Sequence, residues 1–359
     1  MEKRKSQVFL FFISLAFLLL AGSTTSVLGV AQYTITKLDS LGYGESVACD
    51  INNSGQIVGF VGNGTSDSSK SIVMWENDKV TDFGISGMIG GLPSINDSGT
   101  ITGDFTRLSE DDIGSFVYDQ GTLTVNRTNT FIYGINNLGH YVGIYYPPDK
   151  EFHAFVKKGI EFCDLGKLNS ASYSDSWAKD INDSDQIVGT FDDCDTDIYH
   201  AFLWENGEMK DLGTLGGNYA QAFAINNSGQ IVGSSTNSNN CCHGFLWQDG
   251  NMVALEGETA WDINDAGQIL CGDKDGLKDG DSSLLYDNGN YYALDDLVLD
   301  IGEWTILAGY SINDLGQIVG SGYIDGEWQA FLMTPVPEPL TFIFFVLGSV
   351  FAFMRNKPI

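Results

Sequence analysis

Between residues 33 and 335 the hydrophobic pattern is a succession of short apolar runs, each closed by Asn-Gly, Asp-Gly or Asn-x-x-Gly. Runs of this length, punctuated by turn residues, predict β-strands joined by hairpins. Two stretches depart from the pattern. Residues 8–20 and 340–354 are almost continuously apolar, and predict a helix at each end of an otherwise all-β chain.

The body repeats itself. DINNSGQIVG at residues 50–59 recurs as SINDSGTITG, GINNLGHYVG, DINDSDQIVG, AINNSGQIVG, DINDAGQILCG and SINDLGQIVG. The leading isoleucines are Ile51, Ile95, Ile135, Ile181, Ile225, Ile263 and Ile312, a mean spacing of about 44 residues. That is the length of one four-stranded propeller blade. Asn follows each of these isoleucines, and a Gly ends every copy. The turn Gly is present in six copies, and Asp185 replaces it in the fourth. Asp is among the few residues that tolerate positive φ, so the exception fits a tight turn. The Asn is expected to bond its own turn backbone.

A second motif completes each copy. His200-Ala201-Phe202-Leu203-Trp204 runs to Asn206-Gly207, and Met209-Lys210-Asp211-Leu212-Gly213 follows. His153-Ala154-Phe155, His243-Gly244-Phe245 and Gln329-Ala330-Phe331 match the first part. The last copy lacks its Asp-Leu-Gly strand, and Tyr33 to Gly42 reads as the missing piece. An open stack would leave two raw sheet edges, whereas a closed ring protects them. The expectation is therefore a seven-bladed β-propeller of four-stranded repeats over residues 32–335, its last blade closed by the N-terminal strand. The Asn-Asn-Ser-Gly and Glu-Asn-Gly turns then share one face. Longer connections that differ in every copy share the other, the usual place for binding.

Composition narrows the function. With 18 basic and 47 acidic residues the net charge is −29, which argues against nucleic acid, because phosphate binding needs clustered Lys and Arg. Lys3, Arg4 and Lys5, the apolar run and the small residues near Ala31 make residues 1–31 a secretory signal peptide. Signal peptidase is then a partner, and the six cysteines meet an oxidising compartment with no pairing fixed. Asp273, Asp275, Asp279 and Asp281 alternate with Gly and Lys in a loop that could wrap calcium, the one cofactor the sequence suggests. Trp304 and Trp328 fall near variable connections and are the candidate platforms for sugar rings. No nucleophile–base set or carboxylate pair stands out, so no catalytic residue is assigned.

The His-Ala-Phe triplets make the body resemble the HAF-repeat family of exported bacterial proteins. That resemblance bears on architecture and location rather than chemistry. Pro337, Glu338 and Pro339, followed by the apolar run and by Arg355 and Lys357, resemble the PEP-CTERM sorting signal of Gram-negative bacteria. The resemblance implies that residues 336–359 insert transiently in the membrane as a sorting helix and are cleaved by an exosortase-type protease. It also implies association with exopolysaccharide or biofilm. The function expected is that of a noncatalytic protein of the cell surface or extracellular matrix, binding a glycan or matrix component through its variable-loop face. The alternative is an extracellular polysaccharide hydrolase or lyase with carboxylates near the central channel.

Overall fold

The computed structural model describes residues 31–337 apart from 64–69, 87–90, 108–111, 127–129, 148–150, 167–174, 194–197 and 273–282. Residues 1–30 of the expected signal peptide, residues 338–359 of the expected sorting tail and the acidic loop at 273–282 therefore lie outside the described residues.

Strand β1 (Tyr33–Lys37) opens the chain. The first repeat then runs β2 (Glu45–Ile51), β3 (Ile57–Gly62), β4 (Ser71–Glu76) and β5 (Lys79–Ser86). The second is β6 (Ser94–Ile95), β7 (Ile101–Arg107), β8 (Asp112–Asp119) and β9 (Thr122–Asn126). The third is β10 (Thr130–Ile135), β11 (Tyr141–Tyr145), β12 (His153–Lys158) and β13 (Glu161–Asp164). The fourth is β14 (Ser176–Ile181), β15 (Ile187–Asp193), β16 (Ile198–Glu205) and β17 (Glu208–Asp211). The fifth is β18 (Gly216–Ile225), β19 (Ile231–Asn237), β20 (Cys242–Gln248) and β21 (Asn251–Ala254). The sixth is β22 (Thr259–Ile263), β23 (Ile269–Gly272), β24 (Leu284–Asp287) and β25 (Asn290–Ala293), followed by a four-residue helix, α1 (Leu294–Leu297). The last repeat is β26 (Thr305–Ile312), β27 (Ile318–Ile324) and β28 (Glu327–Pro335).

The strands pair as antiparallel meanders. Five sheets have four strands each, and the fourth and fifth repeats share one eight-stranded sheet. Seven separate four-stranded sheets were expected, so the sheet count is a correction. Its cause is local: β16 and the ten-residue β18 meet at a single parallel pair, Tyr199 with Tyr219. The last repeat takes β1 as its outer strand, with Ile35 opposite Met333 and Lys37 opposite Phe331. The inner strands β2, β6, β10, β14, β18, β22 and β26 each touch the next, and β26 returns to β2.

The apolar runs of the second strands are continuous because neighbouring repeats cover both of their faces, whereas outer strands such as β9 and β13 are exposed. The Phe of the His-Ala-Phe strand (Phe116, Phe155, Phe202, Phe245, Phe331) is fully buried in five repeats. The closing seam is packed like the others, with Leu38, Ala48, Ile51 and Ile57 against Val319 and Ala330. The His of the triplet faces the Asp of the following strand: His153 Nδ1 is hydrogen-bonded to Asp164 Oδ2 at 2.9 Å, whereas His200 Nδ1 lies 2.9 Å from Asp211 Oδ2 without hydrogen-bond geometry. In the fifth repeat Ala254 occupies the Asp position opposite Phe245, and His243 turns to Asn237 at 3.0 Å instead. The three histidines are thus structural and lie in separate repeats. The five described cysteines are free thiols, with Cys49 and Cys271 buried. Among the described residues no helix is long and apolar enough to cross a membrane.

Candidate functional site

Each inner strand ends at its Ile and enters a tight turn whose fourth residue has positive φ, from 71° at Gly316 to 79° at Gly99, and 59° at Asp185. The turn Asn accepts bonds from its own turn, as from Ser54 N and Gln56 N to Asn52 Oδ1 at 3.0 and 2.9 Å. Its amide does more. Asn52 Nδ2 donates to Asn96 O at 2.8 Å, and the link recurs from repeat to repeat until Asn313 Nδ2 donates to Asn52 O at 3.0 Å. Seven side chains thereby form a closed hydrogen-bonded ring.

The next residue forms a second ring nearer solvent. Asn53, Asp97, Asn137, Asp183, Asn227, Asp265 and Asp314 each receive a backbone N–H from the preceding repeat at 2.7–2.9 Å. The Asn amides bridge flanking carboxylates, as Asn53 Nδ2 does between Asp97 and Asp314 at 3.1 and 2.8 Å. Seven positions cannot alternate two residue types, so Asp265 and Asp314 stand side by side.

The residue before the Ile makes a third, deeper layer. Asp50, Asp180 and Asp262 each accept their own Ile N–H on one oxygen at 2.8 Å. The other oxygen takes the Ile N–H of the next repeat, Ile95, Ile225 or Ile312, at 2.8–2.9 Å. Ser311 Oγ also donates to Asp50 at 2.8 Å, clamping the last repeat to the first. Burial pushes the Asp180 carboxyl up to about 6, despite two backbone hydrogen bonds that favour its charge. Burial likewise raises Asp262 to about 7, with the charges of Asp50 and Asp180 adding to the effect.

These layers line an axial cavity of about 180 Å³ whose walls are Asp, Asn, Ser and Ile, with no basic side chain. Such a cavity repels anions and favours protons or cations. Among the described residues no group of three or more His, Cys, Asp or Glu is placed to hold a metal ion. The turns of both hairpins do share this face, joined by Gln56 Nε2 to Glu76 at 2.7 Å and Gln186 Nε2 to Glu205 at 3.0 Å.

The residues singled out from sequence do not converge here. Trp304 is 7% exposed and packs edge-on to Phe331, with ring centroids 6.0 Å apart. It is a packing residue, with no open ring face for a sugar. Trp328 is half-buried against Tyr323 at 6.0 Å. Asp273, Asp275, Asp279, Asp281, Glu338 and Pro339 lie outside the described residues, and Pro337 is the last described position and is exposed. The sequence reading passed over Asp50, Asp180 and Asp262. Their signal was the variation D, S, G, D, A, D, S before the seven isoleucines, which acquires meaning only when the copies surround one axis.

No family model and no curated protein matches the chain. Solved structures do. Acylaminoacyl peptidase from Pyrococcus horikoshii aligns over 86% of this chain at 15% identity and a TM-score of 0.49, and the chain spans 55% of that protein. TolB from Acinetobacter baumannii aligns over 78% at 11% identity and a TM-score of 0.44, with 64% of its own length covered. The β-propeller domain of the Trilobed protease from Pyrococcus furiosus aligns over 85% of this chain and 94% of its own length, at 11% identity and a TM-score of 0.50. At that identity the likeness speaks to fold alone, and the fold of this chain is an all-β propeller.

Proposed function

We propose that this chain is an exported, noncatalytic propeller of the HAF-repeat kind that binds a glycan or matrix component at the cell surface through its loop face. In this reading residues 1–31 direct export, and residues 336–359 hold the protein transiently in the membrane until an exosortase-type protease cleaves near Glu338. Each repeat counts as one blade, the eight-stranded sheet being two blades joined at Tyr199 and Tyr219, so the ring has seven. The carrying observation is the contrast between faces. The turn face is built from near-identical turns whose polar groups are bonded to one another around the axis. The opposite face carries connections of different length and composition in each repeat, and variable loops on a rigid scaffold are where recognition resides. A glycan array probed with residues 32–335 tests the reading. Binding without release of reducing ends is expected, and absence of binding to any surface glycan overturns it. Calcium in the loop of Asp273, Asp275, Asp279 and Asp281 would show as calcium-dependent affinity.

One observation favours the alternative of a polysaccharide-active enzyme. Asp262, raised to about 7, has the protonation range of a general acid. Release of reducing ends that disappears in Asp262→Ser would establish that alternative.

A further inference from the structure

We propose that the propeller stands on its hairpin-turn face, which lies against the lipid bilayer holding the C-terminal tail, so that the loop face points outward. This rests on the reading of residues 336–359 as a membrane-inserted tail, and holds while that tail is retained.

The first ground is where the chain leaves the ring. Strand β28 runs toward the turn face and ends there: a Cβ on Gly316, in the seventh turn, would sit 3.6 Å from the Pro335 ring and 3.8 Å from the Tyr33 hydroxyl. Val336 N donates to Gln32 O at 2.7 Å, which fixes the exit on the rim. The apolar run begins at Leu340, five residues beyond Pro335, a link of at most about 18 Å. The nine residues of β28 span about 30 Å. The link is therefore too short to bring the loop face down to the membrane, although it would permit an edge-on pose.

The second ground separates face-on from edge-on. The three most exposed large apolar side chains among the described residues are Ile160 at 99%, Leu315 at 61% and Leu138 at 58%. All three sit at turn-face tips: Leu138 and Leu315 occupy the third turn position, where four repeats have Ser, and Ile160 caps the β12–β13 hairpin. Leu138 and Ile160 belong to the third repeat and Leu315 to the last. A flat surface beneath the ring meets all three, and an edge-on one does not. The same face carries the rim carboxylates Asp97, Asp183, Asp265 and Asp314, so it suits zwitterionic headgroups rather than anionic ones.

Energy transfer from dyes on the full chain to an acceptor lipid in phosphatidylcholine vesicles tests the pose. Cys241, exposed in the connection after β19, marks the loop face. Ser54→Cys, with Leu315→Cys as a second donor should the first fail to fold, marks the turn face. In each protein Cys163, Cys194 and Cys242 are replaced by Ser, as is Cys241 in the turn-face variants. Transfer is expected to be at least twofold greater from the turn-face sites, and to fall when Leu138 and Ile160 are both replaced by Asn. Equal or greater transfer from Cys241, in a chain that floats with the vesicles, overturns the pose alone. A chain that does not float removes the anchoring reading and this proposal with it.

Discussion

Asp180 and Asp262 show how a single repeat position couples proton binding to ring closure. Each carboxylate accepts one N–H from its own strand and one from the next repeat, yet burial raises both above the carboxylate range. A folded-state value above the unfolded one means the folded chain binds more protons between the two. The contribution to stability is thus fully present below about pH 4 and is lost as pH rises through 6 to 7. Replacing both by Ser, the residue of Ser94 and Ser311 at the same place, removes this dependence. The wild type is expected to melt above the double variant at pH 4, and the gap to close or invert by pH 8, read by thermal unfolding across that range. Asp185 behaves oppositely. Burial disfavours its charge, but hydrogen bonds from His140 and Lys158 outweigh that and hold its carboxyl below the ordinary value. The ring amides carry a different load. Asn226→Ala removes a buried donor to Asn264 O and an acceptor for Ser228 N and Gln230 N. The expected cost is about 2–4 kcal/mol, measured as a lower urea midpoint.

The strands themselves were largely legible in sequence, because alternation, Asn-Gly turns and the left-handed position of Asp185 are local properties. The Gly ending each copy was visible too, but its reason was not. Inner strands carry a bulge just before the Ile, as between Ala222 and Ala224, which turns a carbonyl toward the second strand. A Cβ on Gly233 would overlap Gln221 O, and Gly59, Gly143, Gly189 and Gly320 meet the same obstacle. Gly272 sits one residue further along, opposite Thr259, with its nearest neighbour at 3.4 Å in a side chain, and Cys271 takes the place equivalent to Gly233, opposite Ala260. Gly233→Ala is therefore expected to destabilise by about 3 kcal/mol or more, and Gly272→Ala by under about 1, compared by chemical denaturation. The fusion of the fourth and fifth repeats was not readable. It depends on how far β16 and β18 extend at one seam, and Tyr199 and Tyr219 carry no pattern that announces a parallel pair. The carboxylate layer was hidden for a related reason, since Asp180 and Asp262 are 82 residues apart in the chain and meet only across the axis.

At the scale of the molecule, everything follows from closure. The ring of turn amides passes from Asn313 to Asn52 as it does between any other neighbours, and the strand that permits this is β1, paired over five residues with β28. Without that strand the last repeat would expose an open edge and the seam of Leu38, Val319 and Ala330 would be wet. Native-state hydrogen exchange of the amides of Thr34, Thr36 and Leu38, the ones directed at β28, reads the closure directly. Protection matching that of the inner strand β2, lost only on global unfolding, is the result predicted. Exchange of these amides at the rate of a free N-terminal tail, while β2 stays protected, would contradict the closed ring.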